Sequence, residues 1–327
     1  MRVVLFGIGA MGKLIAQMLE EDGVELVGAV DPFHAGKSLE QLTGIPAYEN
    51  VIVRDKAARI AELGAVVAIV TVGSSLELIA QVAEQCAELG LDVITLAEDA
   101  FDPFFSDDTL PLARHLDRVF KAADRTLVAT GVQDVFLFDL PRALLGATRR
   151  VSALKLENWA DLKTLGPVVS DSLPIGLDRS EAVRKLQEAE EARICFDAAV
   201  RPLLRALGAE IQSVHNELTC VIAQSTLDIP ECGIHILAGT VRGVKETTRM
   251  LLAGSVTAEF SLVVAFLEEG EETFSRWDIK GEPDLSAQTK PFHGDAITCA
   301  TLVNRLVLLA QAPSGFIDVN QLLAART

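Results

Sequence analysis

The chain has 327 residues, of which 50% are hydrophobic, and a formal net charge of −17. That length suits two domains better than one core. No Lys/Arg-rich run supplies the basic footprint that nucleic acid or an anionic membrane requires, and no uncharged apolar run reaches the ~18 residues of a spanning helix.

The first residues, Met1 to Gly7, pair an arginine with an apolar stretch. The stretch breaks at Gly7 and Gly9 and has no small-residue cleavage site, so it reads as a strand of a cytoplasmic protein rather than a signal peptide. Residues 2–6 are this first strand and Met11 to Glu20 a helix with apolar positions at helical spacing. Strands follow at Val24 to Val30 and Ala65 to Val72, the latter almost wholly apolar, as a central parallel strand is. A helix at Ser75 to Leu89, with Ser74 or Ser75 as its cap and Gly90 as its stop, leads to strands at Asp92 to Leu96 and Thr126 to Thr130, with a helix at Leu112 to Ala123 between them. Repeated strand–helix units predict a doubly wound parallel sheet.

After about residue 131 the pattern changes. A strand at Val151 to Asn158 precedes a charged helical stretch at Arg179 to Leu207. Four β-like runs then follow one another: Ile211 to Ala223, Ile234 to Val244, Val256 to Phe266 and Thr273 to Ile279. Strand after strand predicts an α+β domain with a mixed or antiparallel sheet. The last segment, Ala296 to Ala310, is helical again. The division expected is a dinucleotide-binding domain at 1–130 and a second, substrate-binding domain at 131–295.

Gly7-Ile8-Gly9-Ala10-Met11-Gly12 is G-x-G-x-x-G between a strand and a helix, in the first βαβ unit. Gly7 permits the turn, Gly9 lets a pyrophosphate approach the backbone, and Gly12 lets helix and strand pack closely. The helix N-terminus, where Ala10 and Met11 begin the first turn, supplies unpaired N–H groups and a partial positive charge. Asp31 lies nineteen positions after Gly12, at the end of the second strand, where an acid grips the ribose. The fold expected of the first domain is therefore the Rossmann fold. Asp31 favours NAD over NADP; His34 and Lys37 nearby leave NADP open.

In such a sheet, ligands lie at the carboxyl ends of the strands. Gly73 and Ser74 follow the third strand there, and Gln133 follows the fifth. Glu98 follows the fourth, with Asp99 and Asp102 close by. Desolvation and like charges raise a carboxyl pKa, as a general base working near neutrality needs; a solvated loop acid or helix cap is the alternative. Phe136 and Trp159 are candidates for an apolar pocket wall, with core packing as the alternative, and His293 lies in a loop before the last helix. Cys232-x-x-His235 is the nearest thing to a metal-ligand pair and has no second pair. The five cysteines (Cys86, Cys195, Cys220, Cys232 and Cys299) are scattered without Cys-x-x-Cys, so reduced thiols and no bound metal are expected. The single tyrosine, Tyr48, has Ile52 four residues on, which excludes the Tyr-x-x-x-Lys of short-chain reductases.

The glycine loop, Val93-Ile94-Thr95-Leu96-Ala97-Glu98, Ala129-Thr130-Gly131-Val132, and the run from Gly294-Asp295-Ala296-Ile297-Thr298 through Val303-Asn304 to Ala312-Pro313-Ser314-Gly315-Phe316 occur in this order. In these segments the chain resembles the dihydrodipicolinate reductase-like dehydrogenases, particularly the 2,4-diaminopentanoate dehydrogenases and native amine dehydrogenases. The resemblance implies an oxidoreductase interconverting a primary amine with a ketone plus ammonia by reductive amination, with NAD or NADP as cofactor. It assigns Glu98 the role of holding ammonia and taking its proton. It also implies that residues 296–327 pack back on the first domain and that the second forms a homodimer interface. An ammonia-independent imine or carbonyl reductase and a non-catalytic NAD-binding sensor are the alternatives. Where the family has Gly-Val-Asn-Pro-Gly-Phe, this chain reads Gly131-Val132-Gln133-Asp134-Val135-Phe136, with Gln133 in the asparagine's place.

Overall fold

The structure is a computed structural model that describes residues 1–57, 60–104, 109–165, 172–188, 200, 202–205 and 207–324. It forms two compact units, Met1–Val135 with Asp295–Thr327, and Phe136–Gly294.

The first unit is built on a seven-stranded sheet in the order β15-β6-β5-β4-β1-β2-β3. Its strands are β1 (Arg2–Phe6), β2 (Glu25–Val30), β3 (Val53–Arg54), β4 (Val67–Val70), β5 (Asp92–Thr95), β6 (Thr126–Ala129) and β15 (Gly315–Ile317). Every pairing is parallel. Such a sheet needs helices on both faces, and its strands are apolar throughout for that reason. On one face, α1 (Ala10–Glu21) brings Ile15 and Leu19 against Val3, Leu5 and Ile69. The late helix α8 (Gly294–Arg305) adds Cys299 and Leu302 to the same cluster. On the other face, α3 (Leu76–Glu88) and α4 (Leu110–Ala123) pack Ile79, Ala83, Leu116 and Phe120 against Val4, Val70 and Val93. The two-residue β3, the capped helix α2 (Leu39–Thr43) and the edge strand β15 are too short to show a period in the sequence.

A π-helical turn, Gln133–Asp139, and α5 (Leu140–Gly146) lead into the second unit. Its six-stranded sheet has the order β14-β13-β7-β12-β11-β8. The strands are β7 (Arg149–Asp161), β8 (Ile211–Ile222), β11 (Val241–Leu252), β12 (Val256–Ala265), β13 (Phe274–Glu282) and β14 (Leu285–Thr289). β12 runs parallel to β7 and the other pairs are antiparallel, so the sheet is mixed. β9 (Leu227–Ile229) and β10 (Ile234–Ile236) form a separate hairpin. The single strand expected over 234–244 is therefore two. Gly239 at φ 87° and a turn closed by the Thr240 N–H on Leu237 O reverse the chain between β10 and β11. The helix expected over 296–310 likewise stops at Arg305 and tightens to 3-10 geometry over Leu306–Gln311. Within the expected helix 179–207, α7 covers Arg179–Glu188; residues 189–199 lie outside the described residues, as does Cys195. A short helix, α6 (Leu162–Leu165), follows β7, and α9 (Val319–Ala324) follows β15. No helix among the described residues is long and apolar enough to cross a membrane.

Candidate active site

The strand order reverses between β1 and β4, and the loops after these two strands flank that switch point. Gly7 takes φ 91°, a left-handed conformation, and a Cβ there would stand 2.8 Å from Thr71 O. Thr71 Oγ1 donates to the Gly7 carbonyl, tying the two loops together. At Gly12 a Cβ would stand 2.1 Å from Gly7 O, so only glycine lets α1 start this close to the strand. Gly9 is different: a Cβ there meets nothing within 4 Å. Its glycine is not required by packing. Gly9 also caps α1 without a side-chain hydrogen bond, and Ala10 beside it is exposed, so the first-turn amides of the helix are available to an anion. An open cradle over uncapped amides fits a pyrophosphate. Met11 points the other way, its Sδ 3.5 Å from the buried Cys299 Sγ on α8.

Asp31 ends β2 and is 7% exposed. Burial pushes its carboxyl up, but hydrogen bonds from the Ile8 N–H to Oδ2 (2.8 Å) and the Phe33 N–H to Oδ1 (2.9 Å), with His34 Nδ1 3.1 Å from Oδ2, bring it below the ordinary aspartate value. It is thus held as a carboxylate against the glycine loop. Its oxygens keep further lone pairs for ribose hydroxyls.

Ser75 caps α3 through the Leu78 N–H, which leaves the exposed Ser74 outside the helix. Gly73 packs under Leu78, where a Cβ would approach to 2.6 Å. The Ser74 carbonyl accepts the Asp99 N–H (3.3 Å), and this bond places the Glu98 turn beside the loop after β4. Thr95 Oγ1 holds the other side of the turn, donating to Val70 O and accepting from the Ala97 N–H. Glu98 is exposed to solvent at the start of this turn. Burial raises its pKa above the ordinary glutamate value, and Asp99 raises it further.

Beyond β6, Gln133 begins the π-helical turn, and its Oε1 lies where a Cβ on Gly131 would be 2.9 Å away. Asp134, its neighbour, is fully buried. It accepts from Thr130 Oγ1 (2.5 Å) and the Gly131 N–H (3.3 Å) and forms an ion pair with the buried Arg305 of α8. Sequence reasoning missed this pair. Its only signal was an acid in place of a proline and an arginine at the end of a helix, 171 residues apart.

In the second unit, the Trp277 Nε1–H donates to the Phe136 carbonyl, and the Phe136 ring meets Phe292 edge-on, 5.0 Å between centroids. Trp159 stacks on Phe274 at 6.1 Å. Strand alternation places it on the opposite face of the sheet from Leu156 and Trp277, so Phe136 and Trp159 do not wall one pocket. Its neighbour Asn158 lies on the same face as Leu156 and Trp277. His293 is exposed beside Phe292. His235 pairs with Asp228 across the β9–β10 hairpin, and no group of three or more His, Cys, Asp or Glu able to hold a metal occurs among the described residues.

Known structures place the chain in the class of NAD(P)-dependent dehydrogenases. It matches an amine dehydrogenase from Mycobacterium smegmatis with a TM-score of 0.84 and 27% identity, over 98% of this chain and 95% of that one. Two more distant matches share the fold alone. A biliverdin reductase from Synechocystis sp. PCC 6803 has TM-score 0.53 and 12% identity over 99% and 95% of the two chains. A UDP-N-acetylglucosamine 3-dehydrogenase from Acidithiobacillus ferrooxidans has 0.53 and 15% over 100% and 95%. The family model of the 2,4-diaminopentanoate dehydrogenase C-terminal domain matches residues 136–327, and the chain belongs to that family. A search of curated proteins returns no match.

Proposed function

We propose that the protein is an amine dehydrogenase: a primary amine, water and the oxidised dinucleotide give a ketone, ammonium and the reduced dinucleotide, and the reverse. When bound, the nicotinamide exchanges hydride with the carbon that carries the amine. The first unit is the dinucleotide-binding domain in this reading, and the second binds substrate and forms a homodimer. The α1 amides and Gly9 hold the pyrophosphate and Asp31 the adenosine ribose. Because Asp31 stays charged at neutral pH, it repels a 2′-phosphate and favours NAD. Gly73, Ser74 and Gln133 line the loops at the switch point.

The observation that carries the reading is Glu98. A carboxyl beside the loop after β4, with its pKa raised by partial burial and by Asp99, is suited to take a proton from ammonium or an attacking water and return it as the carbonyl carbon changes partners. The Mycobacterium smegmatis enzyme, an amine dehydrogenase, supports the same substrate class. The test is oxidation of NADH, and in parallel NADPH, with a panel of ketones, with and without ammonium. Ammonium-dependent turnover that Glu98→Gln abolishes supports the assignment. Turnover that ignores ammonium and survives Glu98→Gln assigns the chain to imine or carbonyl reduction instead.

A further inference from the structure

The sheet order β4-β1-β2 sets the carboxyl ends of β2 and β4 on either side of the glycine loop, about 10 Å apart at two strand spacings. Three large apolar side chains stand in water at this edge. Phe33, two residues after Asp31, is 93% exposed. Val72, in the loop after β4, is 40% exposed, and Leu78, in the first turn of α3, is 60% exposed. Scattered singly over a surface, such residues need no explanation. These three flank the switch point from both sides, one beyond β2 and two beyond β4.

Phe33 and Leu78 are also held in place. Phe33 lies in the middle of a 3-10 turn, Pro32–His34, which Asp31 caps by accepting the Phe33 N–H. The proline fixes a backbone angle at the start of that turn. The Leu78 N–H donates to Ser75 Oγ, and the Leu78 side chain lies over Gly73. A phenyl ring is thus presented to solvent beside the buried Asp31 carboxylate, with two aliphatic side chains across the glycine loop from it.

With Asp31 on the ribose hydroxyls and the α1 amides on the pyrophosphate, the place of the base follows from its bonding. It is joined to the ribose carbon next to the one that bears the 2′-hydroxyl, so it stays close to Asp31 and on the far side of the sugar from the pyrophosphate. There it meets Phe33 on one side and Val72 and Leu78 on the other. A purine has two flat π-faces, and aromatic and apolar side chains cover such faces well. None of the three side chains carries a hydrogen-bonding atom, so none reads the polar edge of the base.

We infer that Phe33, opposed by Val72 and Leu78, clamps the purine of the bound dinucleotide by its two faces, so that the base is selected for its flatness and not for its edge, and hypoxanthine serves as well as adenine. The inference rests on the dinucleotide-binding reading of the first unit and adds to it the residues that hold the base and what they select.

The experiment is a fluorescence titration with NADH, and with ADP-ribose as its competitor, on the wild type and on Phe33→Ala, Phe33→Tyr and Leu78→Ala. Phe33→Ala is expected to weaken both ligands by the same factor, roughly 5–150-fold, the range of a lost base stack. Leu78→Ala is expected to weaken both by a smaller factor, about 3–10-fold, as the loss of one apolar contact does. Phe33→Tyr, which keeps the ring, is expected to bind both within about 3-fold of wild type. The melting temperature of both Phe33 variants without ligand is expected to match wild type, because the ring is exposed. Reduced nicotinamide hypoxanthine dinucleotide, in which an oxygen replaces the adenine amine, is expected to bind the wild type within about 3-fold of NADH. Unchanged NADH affinity in Phe33→Ala or Leu78→Ala, an equal loss in Phe33→Tyr, or a loss for NADH that ADP-ribose does not share overturns the clamp. A preference for adenine beyond that margin shows that the edge is read and overturns selection by the faces. A wild type that binds neither NADH nor NADPH overturns the dinucleotide-binding reading itself, and the clamp with it.

Discussion

The two sheets of this protein are put to different use. The parallel sheet of the first unit is covered on both faces, with one apolar cluster reaching α1 and α8 and the other α3 and α4. It has no face to spare, so the candidate site residues lie at the strand ends: Asp31 after β2, Ser74 after β4, Glu98 after β5 and Gln133 after β6. The mixed sheet of the second unit has two unlike faces. One carries Trp277, Leu156 and Phe260 and is covered. The other carries ion pairs, Arg249 with Glu217 and Glu259 and Arg276 with Glu157 across strands, and Arg276 with Asp278 along β13. A fully buried sheet leaves only strand ends open, at positions that can be counted along the chain, whereas in a two-faced sheet register decides which residues are covered.

That contrast can be broken first at the strand ends. Glu98→Gln is expected to reduce ammonium-dependent kcat by about 10²–10⁴-fold, the contribution of a general base, while the NADH dissociation constant, read by fluorescence titration, stays unchanged. Its raised pKa sets the sign of the pH effect. As pH falls through a value above the ordinary glutamate 4.5, the carboxylate protonates and the acid limb of the rate profile drops; the glutamine variant has no such limb.

Asp134→Ala tests what holds the β6 loop to α8. Taking the carboxylate away from the buried Arg305 is expected to cost about 3–5 kcal/mol in chemical denaturation. Asp134→Leu combined with Arg305→Met is expected to recover most of it, because the desolvation of both charges is then removed.

The two glycines of the loop separate packing from binding. Gly12→Ala is expected to destabilise the fold by about 1–3 kcal/mol, as overpacking does. Gly9→Ala, whose Cβ enters open space, is expected to leave the melting temperature unchanged and weaken NADH binding at least ~10-fold, by the loss of more than ~1.4 kcal/mol of contact. Equal NADH affinity in Gly9→Ala and wild type would remove the cradle from the cofactor assignment.

At Asp31 the effect is smaller and depends on pH. Its folded pKa lies below the ordinary 3.8, so its contribution to stability is complete above 3.8 and drains away as pH falls through the folded value. The stability gap between wild type and Asp31→Asn is therefore expected to be widest near neutrality and to close in acid. The smallest effect belongs to the charged face of the second sheet. Arg249→Met, at an exposed position between two glutamates, is expected to leave the melting temperature nearly unchanged.

How far each site could be read in advance follows the same division. Gly7, Gly9, Gly12 and Asp31 are separated by short, regular elements, so spacing alone brought them together. Glu98 was found because it ends an apolar strand. Trp159 reads as a candidate pocket wall only because it is aromatic, and register turns it to the face opposite Trp277, which holds the Phe136 carbonyl; Asn158, one position away, shares the Trp277 face. A shift of one residue along a strand exchanges the faces, and nothing in the local composition of Glu157-Asn158-Trp159 says which way they turn.

The sequence by itself determined the parallel sheet, the cofactor loop and its acid, and the change to a second, strand-rich unit, because each depends on local period and short spacing. The tertiary structure alone decided that Arg305 answers Asp134 across 171 residues and that β15 joins the sheet edge beside β6. It alone decided that Ser275 and Asn158 lie opposite each other on one face of the second sheet. These are long-range pairings, set by which strands and helices come to lie side by side, and no window along the chain contains both partners.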